Sequence, residues 1–387
     1  MADIPCGECG AQLAYNPGAG TLVCPYCGST NTLPDDDTAA ERPADGPWGG
    51  VATAEVEEQD YESALAELMR ADRGESVPIE VMRTVRCQTC GAEVGLDDPA
   101  AAGTAQHETT IADDCPFCAA PLTNEDARDH RHPRPIGVLP FALDQRGAKQ
   151  AMKQWIASRW FAPNDLKAFA EAGRPMKGVY VPHYTYDAAV KTRYQGKRGV
   201  EYTVKRGKET VRRVRWYSAS GTVHHFFDDV LVPASATLTE FAPEASVRGG
   251  ANWDLQGMQP YRKDFLAGFR AEAPSLSLEH GFARARGACE DHMRHLVRRD
   301  IGGDRQRITH MQSEYTRVTF KHVLLPVWLA AYRYNNKPYR VAVNGRTGQT
   351  RGERPYSAIK IALAALAALL IIAAIAWAQA NGYLGSG

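Results

Sequence analysis

Eight of the nine cysteines fall into four Cys-x-x-Cys pairs: Cys6/Cys9, Cys24/Cys27, Cys87/Cys90 and Cys115/Cys118. A Cys-x-x-Cys turn aims two thiolates at one ion, and a second turn completes a tetrahedral shell of four sulfurs. Taken in chain order, the pairs make two sites: Cys6, Cys9, Cys24 and Cys27, then Cys87, Cys90, Cys115 and Cys118. Four thiolates leave no coordination position for water, so two structural Zn2+ ions are expected rather than a catalytic one. A disulfide framework is the competing chemistry. It needs an oxidising compartment, and Met1–Ala14 carries neither the basic nor the apolar region of an export signal. Gly10, Gly28 and Gly91 follow the second cysteine of their pairs, where a tight turn favours positive φ; Ala119 stands at the fourth. Fourteen residues between Cys9 and Cys24 suit a small hairpin, whereas twenty-four between Cys90 and Cys115 leave room for an insert over about 96–109.

Other groups invite chemistry less specifically. Cys289, His292 and His295 share a helical stretch but lack an evident fourth ligand, so a buried thiol beside solvated histidines is the better reading. His183, His224, His225, Asp228, Asp229, Asp300 and Asp304 are the candidates for acid–base work. Nothing in their spacing makes them meet, and no catalytic residue is assigned. A helicase motor is excluded by motif: Gly196-Lys197 is followed by Arg198 and Gly207-Lys208 by Glu209, neither with the glycine spacing of a phosphate loop.

At the other end, Ile361–Ala378 holds eight Ile/Leu, nine Ala, one Trp and no charge. As a helix it is about 27 Å long, near the thickness of a bilayer's hydrocarbon core. Tyr356 precedes it, and Trp377 and Tyr383 follow at its far end, where aromatic rings favour the interface. A buried soluble helix is the alternative, but this segment is apolar on all faces. Arg346, Arg351, Arg354 and Lys360 lie before it, while Gln379–Gly387 has no charged side chain. The positive-inside rule therefore expects a single-pass protein of the inner (cytoplasmic) membrane, with its body in the cytoplasm. Zinc-bound thiols want the same reducing side.

The positioning elements divide at the cysteines. The chain is neutral overall, yet residues 1–133 hold 25 Asp/Glu against 7 Lys/Arg, and residues 134–387 hold 20 against 38. A basic body beside a bilayer is drawn to anionic head groups. The expected order is a zinc ribbon (1–33), an acidic linker and helix (34–80), a second ribbon (81–133), an α+β domain (134–355), a transmembrane helix (356–380) and a short tail (381–387). The composition of Leu33–Gly50 reads as a linker, and the apolar spacing over Ala54–Arg73 as a helix. Asp126–Pro135 closes the zinc region. Helices are expected over Gln145–Phe161, Asn164–Ala172 and Leu276–Arg299. Strands are expected over Gly178–Ala188, Lys191–Val204, Arg212–Ser218, Gly221–Phe227, Tyr315–Tyr334 and Lys337–Val343, with turns at Asn335-Asn336 and Gly345–Gly348. The sheet should be largely antiparallel.

The ribbons together with Val179-Tyr180-Val181-Pro182-His183-Tyr184, Phe227-Asp228-Asp229-Val230, Asp300-Ile301-Gly302-Gly303-Asp304, the run Thr319–Trp328 and Val343–Gly348 resemble a bacterial family of TFIIB-type zinc-ribbon membrane proteins. Relatives are often labelled primosomal protein N′ or superfamily II helicase, and the family is similar to membrane partners of SPFH and phage-shock-type proteins. The resemblance implies an SPFH-type protein partner and a role in membrane organisation or envelope stress. It brings no catalytic residues, and the motor motifs are missing. The function expected is thus a non-enzymatic, membrane-anchored adaptor or scaffold with no small-molecule substrate. Nucleic-acid binding is the alternative: Lys191–Arg215 offers ten Lys/Arg against two Glu, interleaved with Tyr194 and Tyr202 and followed by Trp216.

Overall fold

The computed structural model describes residues 4–32, 56–73, 80–95, 113–118, 120–122, 127–163, 176–206, 209–235, 253–334 and 337–380. The expected linker over Leu33–Gly50, the insert over 96–109, the helix over Asn164–Ala172, Ala119, the Asn335-Asn336 turn and the tail lie outside these residues.

In chain order, β1 (Ala14–Asn16), β2 (Thr21–Val23) and β3 (Thr30–Thr32) form a three-stranded antiparallel sheet, its first hairpin lying between Cys9 and Cys24. β4 (Gln59–Asp60) leads into α1 (Tyr61–Asp72), and the Asp60 carboxylate accepts the Ser63 N–H at 2.8 Å. This cap is why the helix begins at Tyr61 rather than near Ala54. β5 (Glu80–Arg86), β6 (Glu93–Gly95), β7 (Asp113–Asp114), β8 (Pro121–Leu122) and β9 (Ala127–His132) build the second cysteine module. The segment expected merely to close the zinc region is therefore partly a strand, β9 pairing with β5 over six residue pairs.

The body holds β10 (Gly137–Val138), α2 (Gln145–Ala157), β11 (Lys177–Arg206), β12 (Glu209–Pro233), β13 (Gln259–Pro260), β14 (Arg270–Ala271), α3 (Leu278–Ile301), β15 (Arg305–Tyr334), β16 (Lys337–Asn344) and β17 (Thr350–Gly352). The last described element is α4 (Ala358–Ala380). With β4 these strands form one nine-stranded sheet, antiparallel except where β10 meets β15 and β14 meets β11. α+β with a largely antiparallel sheet is the architecture observed. The strand pairs expected at 178–188 with 191–204 and at 212–218 with 221–227 are each one uninterrupted strand, of 30 and 25 residues. At about 3.3 Å per residue, β11 would extend to about 100 Å. Three such strands, β12-β11-β15, make an arm whose base lies in the core.

α3 lies on one face of that arm. Its buried stripe is Leu278, Gly281, Ala285, Cys289, Met293, Val297 and Ile301, the spacing of one helix face. Tyr184 and Tyr186 hydroxyls donate to the carbonyls of Leu276 and Leu278, which pins the start of the helix to β11. α2 covers another part of the core, burying Ala148, Met152 and Ile156; it ends at Ala157, four residues short of the predicted Phe161. Trp155 is half-buried, while Trp160 stands exposed beyond the helix.

Candidate metal centres and the charged bulge

The four cysteine turns have one geometry. In the first, Cys6 N–H donates to Ala11 O (2.7 Å) and Gly10 N–H to Cys6 O (2.9 Å). The same bonds recur from Cys24 to Ser29 and Gly28 to Cys24, and from Cys87 to Ala92 and Gly91 to Cys87. Cys115 N–H likewise donates to Ala120 O at 2.8 Å. Gly10, Gly28 and Gly91 take φ of 72°, 74° and 75°, as the turn requires.

The turns converge in two clusters: Cys6, Cys9, Cys24 and Cys27, and Cys87, Cys90, Cys115 and Cys118, with all sulfurs of a cluster within 4.8 Å of one another. Sγ–Sγ separations are 3.7 Å for Cys6–Cys27, 3.5 Å for Cys9–Cys24, 3.5 Å for Cys87–Cys118 and 3.7 Å for Cys90–Cys115. A tetrahedron of thiolates about 2.3 Å from a central ion has edges of about 3.8 Å. The donor sets and spacing therefore fit a metal ion such as zinc, and all nine cysteines are free thiols. In every pair the first cysteine is buried; the second is exposed in Cys9 and Cys27 and partly covered in Cys90 and Cys118. The Ser29 hydroxyl, 3.0 Å from Cys6 Sγ, holds that thiol down to about 6.

Neither module stands apart from the body. Tyr15 N–H of β1 donates to Ala267 O at 3.0 Å, and its ring meets Phe265 at 5.5 Å edge-on. Cys6 and Cys24 belong to the same packed cluster as Phe141, Tyr180 and Trp328. Cys87 and Cys115 pack with Val179, Val181, Val327 and Leu329 of β11 and β15. Ala273 N–H donates to Glu93 O at 3.1 Å, tying β6 to the segment after β14.

A third cluster was not legible in the sequence. The pairing of β11 shifts register around Asp187, between Tyr186 and Ala188 against β12 and between Asp187 and Ala189 against β15. Asp229 on β12 and Arg317 on β15 are the positive-φ non-glycine residues among those described, each at φ 51°. Adjacent bulges thus gather Asp187, Asp228 and Asp229, and β4 brings Glu58 alongside. Lys321 Nζ lies 2.9 Å from Asp229, 3.3 Å from Glu58 and 3.7 Å from Asp187. Burial, reinforced by Glu58, pushes Asp187 up to about 7. Burial pulls the other way on Lys321, yet Asp229, Asp187 and Glu58 hold it above the ordinary lysine range. One ammonium is thus shared among Glu58, Asp187 and Asp229, with Asp228 beside them, and the cluster keeps an excess of acidic groups.

The remaining sequence candidates do not converge on one cavity. His183 is buried beside Trp253 and driven by burial down to about 4. His224 is exposed opposite Lys191, and His225 stacks near His292, 4.9 Å between ring centres. Asp300 accepts the Tyr194 hydroxyl at 2.5 Å, and Asp304 accepts Glu201 N–H at 2.7 Å. Cys289 is buried in the α3 stripe, and His295 is exposed on the same helix. His132 and His322 both approach the Pro133 carbonyl through Nδ1, at 2.9 and 2.7 Å, with their ring centres 5.5 Å apart.

The described residues thus define an α+β protein with two four-cysteine clusters and one C-terminal helix, Ala358–Gln379, long and apolar enough to cross a membrane. It is similar to the uncharacterized protein YdjG of Bacillus subtilis, 22% identical over 232 residues, which cover 60% of this chain and 67% of that one. No family model matches the chain. No solved structure matches it either.

Proposed function

We propose that this chain is a membrane-anchored adaptor or scaffold whose two four-cysteine clusters are structural zinc ribbons that brace a partner-binding body in the cytoplasm. The observation that carries this reading is the pairing of two four-thiol clusters with one C-terminal helix whose Ile, Leu and Trp side chains all stand exposed. A closed shell supplies rigidity rather than a reactive water. An exposed apolar helix calls for a bilayer around it. Arg346, Arg351, Arg354 and Lys360 before the helix favour the cytoplasmic side for the body. The partner is a protein, with an SPFH-type membrane protein as the first candidate. The outward turn of the first ribbon offers it Tyr26, 83% exposed between Cys24 and Cys27. The chain is proposed to be no enzyme, since its sequence carries no catalytic motif and its described histidines are dispersed.

The test is crosslinking followed by affinity capture from native membranes. A specific protein should be captured by the full chain, and Tyr26→Ala should lose it while two zinc ions per chain are retained. Capture unchanged by Tyr26→Ala would move the interface elsewhere; fewer than two zincs in the unmodified protein would remove the ribbon reading.

One observation favours a second reading. On the arm, Arg215 stacks over Tyr202 at 5.2 Å and Arg307 over Trp216 at 4.3 Å, a basic and aromatic surface of the kind that binds single-stranded nucleic acid. A salt-dependent mobility shift of RNA or DNA by the full chain, lost in Arg215→Ala/Arg307→Ala, would support it.

A further inference from the structure

Beyond the last turn of α2 the chain buries Ala162 in the core and touches the base of α4. Phe161 O accepts Ser357 N–H at 2.8 Å, and Ala162 O accepts Lys360 Nζ at 2.7 Å. These bonds hold Trp160, 78% exposed, at the level where the apolar segment begins. Between the two elements runs a groove of about 550 Å³, lined by Ala157, Arg159, Trp160, Lys360, Leu363, Ala364 and Ala367. That volume falls within the range of about 300–1,000 Å³ seen for small-ligand sites.

Its lining is ordered by chemistry. Lys360, Leu363, Ala364 and Ala367 share one helix face, and Ala367 lies about 10 Å along the axis from Lys360. The two alanines leave the space open. Arg159 and Lys360 stand at the shallow end. Arg159 lies over the Trp155 ring at 5.1 Å, and its Nε is buried without a hydrogen-bond partner. A buried guanidinium N–H without an acceptor is costly, and an anionic oxygen would satisfy it. One end of the groove is therefore cationic and the other apolar, and it opens along a helix suited to a bilayer.

We propose that this groove holds one anionic phospholipid of the membrane that α4 spans. The phosphate sits on Arg159 and Lys360, one acyl chain lies along Leu363, Ala364 and Ala367, and Trp160 rests at the head-group level. The proposal rests on the membrane reading of α4. Its consequence is an orientation: α2 and the core beneath it are clamped against the bilayer, rather than swinging on the segment before α4.

The test uses the full chain in nanodiscs of phosphatidylcholine with or without phosphatidylglycerol. Native mass spectrometry after gentle release should find one phosphatidylglycerol retained at least tenfold over phosphatidylcholine. Arg159→Gln/Lys360→Gln should abolish the preference. Ala367→Trp, which fills the groove and keeps both charges, should do the same. In nanodiscs, Trp160→Phe should remove a component of the fluorescence quenching produced by brominated phosphatidylglycerol. Equal retention of both lipids by the unmodified chain would overturn the proposal, as would a preference that survives both groove variants. Release of the unmodified chain from membranes by alkaline carbonate would overturn the spanning helix itself, and with it the site. A chain that stays embedded yet shows no lipid preference loses only the site.

Discussion

The two cysteine modules use the same turn and differ in what surrounds it. In the first, Cys9 and Cys27 are exposed, and the module meets the body through Tyr15 and the Phe265–Phe269 segment. In the second, Cys90 and Cys118 are partly covered, and the module lies on β11 and β15 at the root of the arm. Equal local chemistry has thus been given unequal mechanical importance. The first module is a buttress on the flank of the core. The second is built into it, because Val179, Val181, Val327 and Leu329 have their buried faces completed by Cys87, Cys115 and their neighbours. Structural zinc is worth about 10–16 kcal/mol in isolated finger peptides, and how much of that reaches the body depends on this coupling.

The largest effect should come from removing the second centre. Cys87→Ser/Cys115→Ser is expected to leave one zinc per chain and abolish the main cooperative unfolding transition, whereas Cys6→Ser/Cys9→Ser should also leave one zinc but keep that transition at a lower midpoint. Thermal melts with metal counts decide it, and equal losses in the two variants would end the contrast. Next, Tyr15→Ala should cost about 3 kcal/mol in the docking of the first module. Hydrogen exchange should then speed up across β1–β3 while β5 and β9 stay protected.

Acid should separate the modules in a different way. Burial, with His132 nearby, drives His322 down to about 3, and burial lowers His132 as well. His132 belongs to β9 of the second module and His322 to β15 of the body, so the junction depends on neutral rings. A lowered imidazole contributes stability above its ordinary pKa of about 6.5 and loses it as pH falls toward the folded value. His322 alone should cost about 2 kcal/mol at pH 5 relative to pH 7. Protection factors in β9, exchange rates corrected for the intrinsic slowing of amide exchange in acid, should fall between pH 7 and pH 5, and the fall should shrink in His322→Gln. A first module that loosened equally would show that thiolate protonation, not the histidine junction, governs acid sensitivity. The smallest effect is expected at Tyr26: its replacement by alanine should change stability by less than about 0.5 kcal/mol, because the ring contributes little to the core.

Much of each centre could be read directly. Cys-x-x-Cys with a following glycine is a local pattern, since both ligands and the positive-φ residue lie within five positions, so the knuckles and their pairing were legible. The apolar C-terminal segment was legible for the same reason: helical length and the absence of charge are properties of one continuous stretch. The arm was harder. Its strands were placed, but a strand's continuity depends on partners far away in the chain, and β11 stays extended through Gly196 and Gly199 because β12 and β15 flank it on both edges. The charged bulge was not legible at all. Asp228 and Asp229 were visible as a pair, but Asp187 and Lys321 look like ordinary strand residues until the β11–β15 register sets Lys321 opposite Thr185, diagonal to Asp187, and the β12 register shift brings Asp229 alongside.

By itself, then, the amino-acid order determined the four thiolate turns, the terminal apolar helix and the predominance of extended chain, because each follows from bonding and solvation within a few neighbouring residues. Only the tertiary structure decided that the cysteine modules are walls of the core rather than free fingers, that Glu58 joins a lysine on β15, and that the end of α2 meets the base of α4. Those depend on surfaces contributed by distant segments, and burying apolar area is indifferent to how far apart in sequence the two surfaces lie.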